Sequence, residues 1–276
     1  MEVLSKDMIE QWIVPHLSVG KRGTKASVEL WRIVAAILYR LKSGCQWSML
    51  PTEKFFTVPY RLTPAGVYYH YRKWVKNGCF KKVWIELLKV NHKHLDLSSM
   101  QLDGSQTPAK NGGEHIGYQW RKSARTTTAL FFSDNQGLPL AMATPQSGNY
   151  HDLHAIEQLF EELCQLLKEA NVDVRGVFMN ADSGFDAQSL RKQCSEKQIE
   201  ANIECNDRNT QQQSAAYVYF DELLYKRRFA IERMNAWIDS FKALLIRFET
   251  KINNWIALHF LAFTVLLCRK LPIVKL

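Results

Sequence analysis

The order of secondary-structure signals after residue 97 is the feature that most restricts how this chain can fold. Three strand-like segments come first, and their sequences are SSMQLDGSQ (98–106), TTTALFFS (126–133) and LPLAMAT (138–144). The last two are joined by DNQG, whose composition is typical of a hairpin turn. Helix-like and strand-like segments then alternate. Three consecutive strands followed by alternating units predict a mixed sheet flanked by helices.

The alternating part can be followed segment by segment. An amphipathic helix is predicted over 152–170, a buried strand over 174–182, a helix over 187–198 and a strand over 199–204. A polar loop is predicted at 206–216, and helices are predicted over 220–249 and 253–268. This order of elements is that of an RNase H-like fold.

The first 96 residues are different, because their signals are helical throughout. One helix places Leu30, Val34 and Leu41 on one face and stops at Gly44. Another starts at Thr63-Pro64, which is a favourable N-cap followed by proline in the first turn. The fold class is therefore α+β. We expect an all-helical domain resembling a helix-turn-helix module over 1–96 and an RNase H-like domain with C-terminal helices over 97–276.

Charge and composition narrow the functional classes. The chain has 276 residues and a net charge of +9, which favours a polyanionic partner, with nucleic acid first. A basic protein without such a partner remains the alternative. None of the six cysteines forms a C-x-x-C pair, which argues against a zinc site or a disulfide framework and for a reducing compartment. The apolar run 255–268 is shorter than the ~20 residues that cross a bilayer. We interpret it as a core helix and expect a cytoplasmic protein.

The segment YKRRFAIER, residues 225–233, carries the main chemical signal. In a helix, Tyr225, Arg228 and Glu232 fall within about 60° of one another on the surface. The opposite side is apolar, and its residues are Met234, Trp237, Ile238, Phe241, Leu244 and Leu245. A carboxylate, a guanidinium and a phenol on one exposed face suit a site that handles phosphate and a divalent metal.

Two further acids come at predicted strand ends. Asp103 ends the first strand of the second domain, and Asp182 ends the fourth. Together with Glu232 they can converge at one sheet edge and bind Mg²⁺ through oxygen ligands. A pair of such ions can stabilise the attacking and leaving oxygens of a displacement at phosphorus. Each acid also has a simpler interpretation, since the aspartates can be turn residues and Glu232 can pair with nearby arginines.

The chain resembles a bacterial insertion-sequence DDE transposase of the insertion-sequence-five type. The matching pieces run through nearly the whole chain and are SGCQWSMLP, LDGSQ, GLPLAMATPQSGNYHD, ADSGFD and YKRRFAIERMNAWIDSFKALLIRFE. The last piece is similar to the family's Tyr-Arg-Glu-Lys signature, although Asp239 stands at the lysine position and Lys242 is the nearest substitute. The resemblance implies that Asp103, Asp182 and Glu232 are the metal-binding triad.

The resemblance also implies a function. The protein would bind the terminal inverted repeats of its element, cleave DNA with Mg²⁺ or Mn²⁺, two ions per site, and join the 3′-hydroxyl ends to target DNA. Arg228 would contact phosphate and Tyr225 would orient it. A homodimer on DNA, a bacterial cytoplasmic and nucleoid-associated location and no membrane partner are expected. The alternatives are an RNase H-like nuclease without strand joining and an inactive DNA-binding relative.

Two basic surfaces are candidates for DNA contacts. The first lies on the predicted helix 66–77, where Val67, Tyr71 and Trp74 face inward and the outward residues are Tyr69, His70, Arg72, Lys73 and Lys76. A solvated amphipathic helix is the alternative there. The second lies between the first two strands and contains Lys110, Arg121, Lys122 and Arg125.

Three polar residues near these motifs have structural interpretations. We expect Asp152 and Asp186 to act as helix N-caps, although Asp152 could approach the site. We expect His151 to be a polar loop residue or a DNA contact.

Overall fold

A computed structural model describes residues 2–19, 28–57, 61–206 and 219–271. It separates into two compact units. The first contains Met1–Leu87, Lys110–Glu114 and Trp237–Leu276, and the second contains Leu88–Ala109 and His115–Ala236. Within the first unit the C-terminal helices pack among the N-terminal ones. The polar loop predicted at 206–216 lies, apart from residue 206, outside the described residues.

Four longer helices form the N-terminal part of the first unit, and two of their ends lie at capping residues that the sequence indicates. They are α1 (Lys6–Trp12), α2 (Leu30–Ser43), α3 (Pro64–Lys76) and α4 (Cys79–Asn91), which continues into the second unit. Helix α2 ends at Gly44, whose φ of 70° is one that glycine adopts without strain. Helix α3 begins at Thr63, whose hydroxyl accepts a hydrogen bond from the Gly66 amide. These helix ends confirm the sequence-based ones.

The C-terminal part of the first unit contains α9 (Lys242–Leu245) and α10 (Ile252–Lys270). Helix α10 packs against α2 and α3 and is the one helix among the described residues that is long and apolar enough to cross a membrane. Most of its apolar window, 83%, is buried inside the unit. That burial confirms the interpretation of this segment as a core helix.

An ion pair lies inside the first unit between α2 and the segment that precedes α10. Arg40 Nη2 and Glu249 Oε1 are 3.0 Å apart, and both side chains are almost fully buried. The indole of Trp47 donates a second hydrogen bond to Glu249 at 3.0 Å and lies beneath the Arg40 guanidinium. A buried charge pair needs such additional partners to offset the cost of removing it from water.

His259 gives this unit a measurable pH dependence. It lies in the middle of α10, is 2% exposed, and its Nδ1 is 3.0 Å from the Trp255 carbonyl oxygen. Burial is the largest cause that lowers its pKa from 6.5 to about 4, and Arg247 lowers it further. The folded state therefore holds a neutral imidazole at a pH where the unfolded chain has already bound a proton. Stability from this residue is complete above pH 6.5 and is lost as the pH falls toward 4.

We expect the His259→Leu variant to lack this loss. Between pH 7 and pH 4.5 the wild-type protein should lose about 2–3 kcal/mol more free energy of unfolding than the variant. Denaturant unfolding at a series of pH values measures the difference between the two proteins, which removes the titration of the other groups. Parallel curves for the two proteins would show that His259 does not titrate in this range.

The described residues of the second unit form a sheet of seven strands. Its strands are β1 (Met100–Pro108), β2 (Gly117–Gln119), β3 (Ala124–Ser133), β4 (Pro139–Met142), β5 (Gln146–Ser147), β6 (Phe178–Ala181) and β7 (Glu200–Ile203). Strand β3 pairs with β2, β4, β5 and β1, all antiparallel, while β1, β6 and β7 run parallel. The long strands therefore lie in the order β4-β3-β1-β6-β7, which is the RNase H-like arrangement, and the predicted fold class is confirmed.

The connections of this sheet follow the sequence signals closely. The hairpin between β3 and β4 turns at Asp134–Gly137, where Gly137 has φ 85° and its amide donates to the Asp134 carbonyl. Helices α5 (Ile156–Glu169) and α6 (Gln188–Glu196) connect β5 to β6 and β6 to β7. The apolar side of α5 covers the sheet, with the rings of Phe160 and Phe132 5.8 Å apart. Only the short strands β2 and β5 were not predicted.

The prediction of one long helix over 220–249 is wrong. The structure has α7 (Glu222–Tyr225), a 3-10 turn over Lys226–Arg228, α8 (Phe229–Asp239) and α9. The main break follows α8, where the Ser240 hydroxyl donates to the Trp237 carbonyl and Phe241 adopts an extended ψ of 99° with its ring buried. A serine hydroxyl that competes for helix carbonyls favours such a break. Leu245, expected on the apolar face, is 39% exposed.

Candidate active site

The two aspartates are brought side by side by the register of the sheet. Strands β1 and β6 pair in parallel, and the last matched pair is Leu102 with Ala181. Asp103 and Asp182 each follow directly, so they lie next to each other at the carboxyl end of this pairing. The sequence suggested that Asp103 ends its strand, but in the structure it lies inside β1. Strand β1 continues to Pro108 through pairing with β3 after β6 has ended.

Asp182 makes contacts in two directions. Its Oδ1 accepts hydrogen bonds from the Gly184 amide at 3.0 Å and from the Ser183 hydroxyl at 3.3 Å. Its Oδ2 lies 3.8 Å from Arg228 Nη2. One oxygen therefore caps the turn after β6, as a turn aspartate does, and the other remains directed to the candidate site.

Arg228 is the centre of the arrangement. Its Nη1 lies 4.0 Å from Glu232 Oε1, and its guanidinium carbon lies 5.7 Å from the centre of the Tyr225 ring. The Arg228 side chain is 22% exposed, whereas the side chains of Asp182 and Glu232 are 50% and 56% exposed. The carboxylates are thus open to a ligand, while the arginine is held partly inside. The sequence-predicted polar face, with Tyr225, Arg228 and Glu232, meets Asp182 although the long helix is interrupted.

The electrostatics of Asp103 tie it to the same cluster. Burial is the largest cause that raises its pKa to about 6, and the charges of Glu232 and Asp152 raise it further. The Gly104 amide and Arg228 act in the opposite direction. Because neighbouring carboxylates disfavour its ionised form, a cation bound between them would favour that form.

Asn235 is a residue that sequence reasoning missed. Its amide nitrogen lies 3.4 Å from Asp103 Oδ2. Asn235 comes three residues after Glu232 on α8, and residues three apart lie on the same side of a helix. That spacing is the signal that could have identified it.

Asp152 has the less favoured of the two roles that the sequence suggested, because it lies near Asp103. It is not a helix N-cap, because α5 begins later at Ile156 and its N-cap residue is Ala155, which makes no side-chain cap. The Asp152 carboxylate instead lies beside Gly104, where a Cβ atom would be 3.3 Å from its Oδ1. A glycine next to Asp103 leaves room for this fourth carboxylate.

Asp186 and His151 have structural contacts. Asp186 was expected to cap α6, but the N-cap residue is Ala187, which makes no side-chain cap. The Asp186 carboxylate is buried, lies 2.8 Å from Arg191 and accepts from the Asn206 amide. His151 is an exposed loop residue whose Nδ1 accepts from the Leu153 amide at 3.2 Å.

The basic face of α3 is arranged largely as the sequence indicates. Val67, Tyr71 and Trp74 are fully buried, and Tyr69, Arg72 and Lys76 are exposed, while Lys73 is half-buried. His70 is also half-buried, with its ring 5.5 Å from that of Trp74, and burial lowers its pKa, as does Lys73. The exposed side lines a concave surface of about 830 Å³ that also includes Lys251 and Asn253 at the start of α10.

The second basic cluster is divided between the two units. Arg121, Lys122 and Arg125 are exposed around the short strand β2, and Lys122 Nζ donates to the Gln106 carbonyl at 3.2 Å. Lys110 belongs to the first unit, where its amide donates to the Arg247 carbonyl. Of the four basic residues that the sequence grouped together, three therefore belong to the second unit and one belongs to the first.

Two family models match the chain. The model described as "Putative transposase of IS4/5 family" matches residues 7–84, and the model described as "Transposase DDE domain" matches residues 94–267. The chain belongs to the DDE transposase family. A DDE transposase is an enzyme that acts on DNA, and the family agrees with the RNase H-like sheet and with acids at its edge. The net positive charge of this DDE transposase is consistent with DNA as a partner.

The solved structures to which this transposase is similar have low sequence identity to it and low TM-scores. "Crystal structure of the Mos1 mariner paired end complex with Mn" has 13% sequence identity and a TM-score of 0.30, with 95% of this chain and 86% of that chain covered. "Crystal structure of the Mos1 Strand Transfer Complex" has 11% identity and a TM-score of 0.30, with 89% and 79% covered. No significant match was found among curated proteins.

The donor set of the site has the chemistry that a hard divalent cation prefers. Asp103, Asp182 and Glu232 provide carboxylate oxygens, which Mg²⁺ and Mn²⁺ favour over nitrogen or sulfur. Within the described parts of the chain, no three acidic, histidine or cysteine side chains are drawn together tightly enough to form a ligand set. The two amino groups of Arg228 face Asp182 and Glu232 instead. The residue types therefore fit a hard divalent cation.

Proposed function

We propose that this DDE transposase is of the insertion-sequence-five type with the Tyr-Arg-Glu signature. It would bind the terminal inverted repeats of an insertion sequence, cleave DNA by metal-assisted hydrolysis and join the 3′-hydroxyl ends to target DNA. The observation that carries the proposal is the parallel register of β1 and β6, which sets Asp103 beside Asp182. Arg228 links that pair to Glu232.

Asp103, Asp182 and Glu232 would hold Mg²⁺ or Mn²⁺, with two ions in the complete site. Bound there, the metal would neutralise charge on the scissile phosphate and activate the attacking oxygen. Asn235 would hold the Asp103 carboxylate in place through its amide. Asp152, whose carboxylate lies beside Gly104, would add a fourth negative charge to the site. That charge would strengthen the binding of a divalent cation.

Arg228 and Tyr225 would bind the DNA backbone at the reacting position. A guanidinium forms two parallel hydrogen bonds to a phosphate, and this geometry positions the phosphate as well as attracting it. Tyr225 supports the guanidinium with its ring and can donate its hydroxyl to a phosphate oxygen. Its pKa is raised, with burial as the largest cause, so the hydroxyl keeps its proton.

The partners follow from this chemistry. The element ends and the target DNA would be bound by the same protein, with α3 and the basic residues around β2 on their phosphates. Two ends must be processed together, so we propose a homodimer on DNA. A bacterial cytoplasmic, nucleoid-associated location and no membrane partner complete the proposal.

A plasmid assay tests the function. Supercoiled DNA that carries the element's ends is incubated with the protein and Mg²⁺, and its products are mapped. Cleavage together with joined products is the expected result. Cleavage alone would replace the proposal with a nuclease, and binding alone would replace it with an inactive DNA-binding relative.

The basic face of α3 provides a separate prediction about binding. Alanine substitution of Arg72, Lys73 and Lys76 together should weaken binding to the element's ends and lower the slope of log K against log salt by roughly one unit for each lost phosphate contact. Binding is measured by titration at several salt concentrations in EDTA, so that cleavage does not interfere.

A matched control removes the same charge elsewhere. Lys168, Arg175 and Lys192 are exposed on the second unit and lie outside both proposed DNA surfaces. Their triple alanine variant should keep nearly the wild-type slope. An α3 variant with the wild-type affinity and slope would remove this helix from the DNA-binding surface.

A further inference from the structure

We propose that Trp120 forms a stacking platform for unpaired DNA bases, an inference that rests on the proposed function because it assumes a DNA substrate. Trp120 lies in the turn that joins β2 to β3. This residue is 83% exposed, the most exposed of the large apolar residues in the described part of the chain. The fold does not explain this exposure, because the ring contributes little to any core.

The turn holds the ring in a defined place. Strands β2 and β3 pair over Gly117–Gln119 and Ala124–Thr126, and a 3-10 turn over Trp120–Lys122 closes the hairpin. The Gln119 side chain accepts from the Arg121 amide at 3.3 Å and donates to the Gly148 carbonyl at 3.1 Å. The turn is therefore fixed by hydrogen bonds, and a fixed ring loses little conformational entropy when it binds a flat partner.

A second aromatic residue supports the ring. Tyr118 is 43% exposed, and its ring meets that of Trp120 edge to face, with 4.9 Å between centres and 81° between planes. In this geometry one ring supports the other by its edge. A face of the indole remains open to solvent at the tip of the hairpin.

Charge decides which flat partner fits. Arg121 and Lys122 follow Trp120 directly, and Arg125 lies opposite Tyr118 in the ladder. All three are exposed. Lys122 is also anchored to the Gln106 carbonyl, which keeps a cation at the base of the hairpin. Aromatic rings among cations are typical of surfaces on which successive bases stack while the backbone follows the positive charges. A nucleic acid strand satisfies both features, and an apolar protein surface would leave the cations unpaired.

The distance along β3 between the hairpin and Asp103 is the next observation. Asp103 is opposite Phe131 on β3, and β2 ends opposite Ala124, seven residues along the same strand. At about 3.4 Å per residue, this places the hairpin end roughly 24 Å from Asp103. DNA that follows the β1–β3 ribbon from the acids reaches Trp120 after about seven nucleotides, at 3.4 Å per nucleotide of one strand.

Unpaired bases are the form of DNA that this ring can accept. A base inside a duplex has both faces covered by its neighbours, whereas a base in a gap or an opened segment presents a free face. Stacking of this kind tolerates any base. The platform would therefore act on opened DNA of any sequence near the reaction site.

A gapped duplex tests the proposal directly. The probes are a 30-base-pair duplex with a central gap of four nucleotides and the same duplex without a gap, both measured by fluorescence anisotropy in EDTA. We expect the wild-type protein to bind the gapped probe about tenfold more tightly. The Trp120→Leu variant should lose that preference, since leucine is apolar but has no ring, and the Trp120→Phe variant should retain most of it.

Two controls separate stacking from other roles. The Arg121→Ala variant should weaken both probes equally and lower the salt slope, because it removes only a phosphate contact. Sedimentation without DNA should give the same mass for the wild-type and Trp120→Leu proteins, and a change in mass would mean that the ring packs against a second copy of this chain.

Equal affinity of the wild-type protein for the two probes, or a leucine variant that keeps the preference, would also overturn the proposal. None of these measurements uses cleavage, so failure of the proposed catalytic function is seen separately in the plasmid assay.

Discussion

The Asp182→Asn variant should lose at least about a thousandfold in the rate of DNA cleavage while it binds the element's ends within about twofold of the wild-type protein. The lost negative charge weakens the proposed metal site, and a metal-assisted displacement at phosphorus depends on that site for several kcal/mol. Asparagine keeps a side-chain oxygen that can accept from the Gly184 amide, so the turn after β6 should remain intact. Single-turnover cleavage with saturating Mg²⁺ measures the rate.

The same substitution at a remote acid is the control. Asp173 is exposed in the same unit, and its carboxylate is paired with Arg175 at 2.6 Å. The Asp173→Asn variant should cleave at the wild-type rate. If Asp182→Asn were to cleave within tenfold of the wild-type protein, Asp182 would not be a metal ligand.

The Arg228→Lys variant should fold and bind metal normally but cleave at least about a hundredfold more slowly. Loss of one well-placed donor to a developing charge typically costs this much. Lysine carries the same charge but cannot form two parallel hydrogen bonds to a phosphate. The two amino groups of Arg228 lie 3.8 Å from Asp182 and 4.0 Å from Glu232. The measurement is single-turnover cleavage at saturating DNA and Mg²⁺.

A neighbouring arginine gives a close control for this prediction. Arg227 is exposed and its guanidinium lies 3.3 Å from the Ser98 hydroxyl. The Arg227→Lys variant should leave the cleavage rate nearly unchanged. The rival view is that Arg228 only forms surface pairs worth about 0–1 kcal/mol. A cleavage rate for Arg228→Lys within a few-fold of wild type would support that view and refute the phosphate-binding role.

The sequence by itself was enough for the features that depend on near neighbours along the chain. The start of α3 at Thr63, the end of α2 at Gly44 and the hairpin at Asp134–Gly137 are set by local backbone chemistry. The order of strands and helices along the chain followed from segment length and composition, and that order predicted the fold class. The shared face of Tyr225, Arg228 and Glu232 needed only the spacing of residues in helical turns, which survives the 3-10 turn that interrupts the helix.

The tertiary structure decided what depends on contacts between distant segments. The register that sets Asp103 beside Asp182 requires the pairing of two strands far apart in the sequence. The contacts of Asp152 with Gly104 and of Asn235 with Asp103 are equally remote along the chain. The packing of α10 against α2 and α3 likewise joins segments from opposite ends of the chain. Backbone propensity is local, whereas strand register and side-chain contacts are fixed only when the folded chain buries its apolar faces, so only the folded structure shows them.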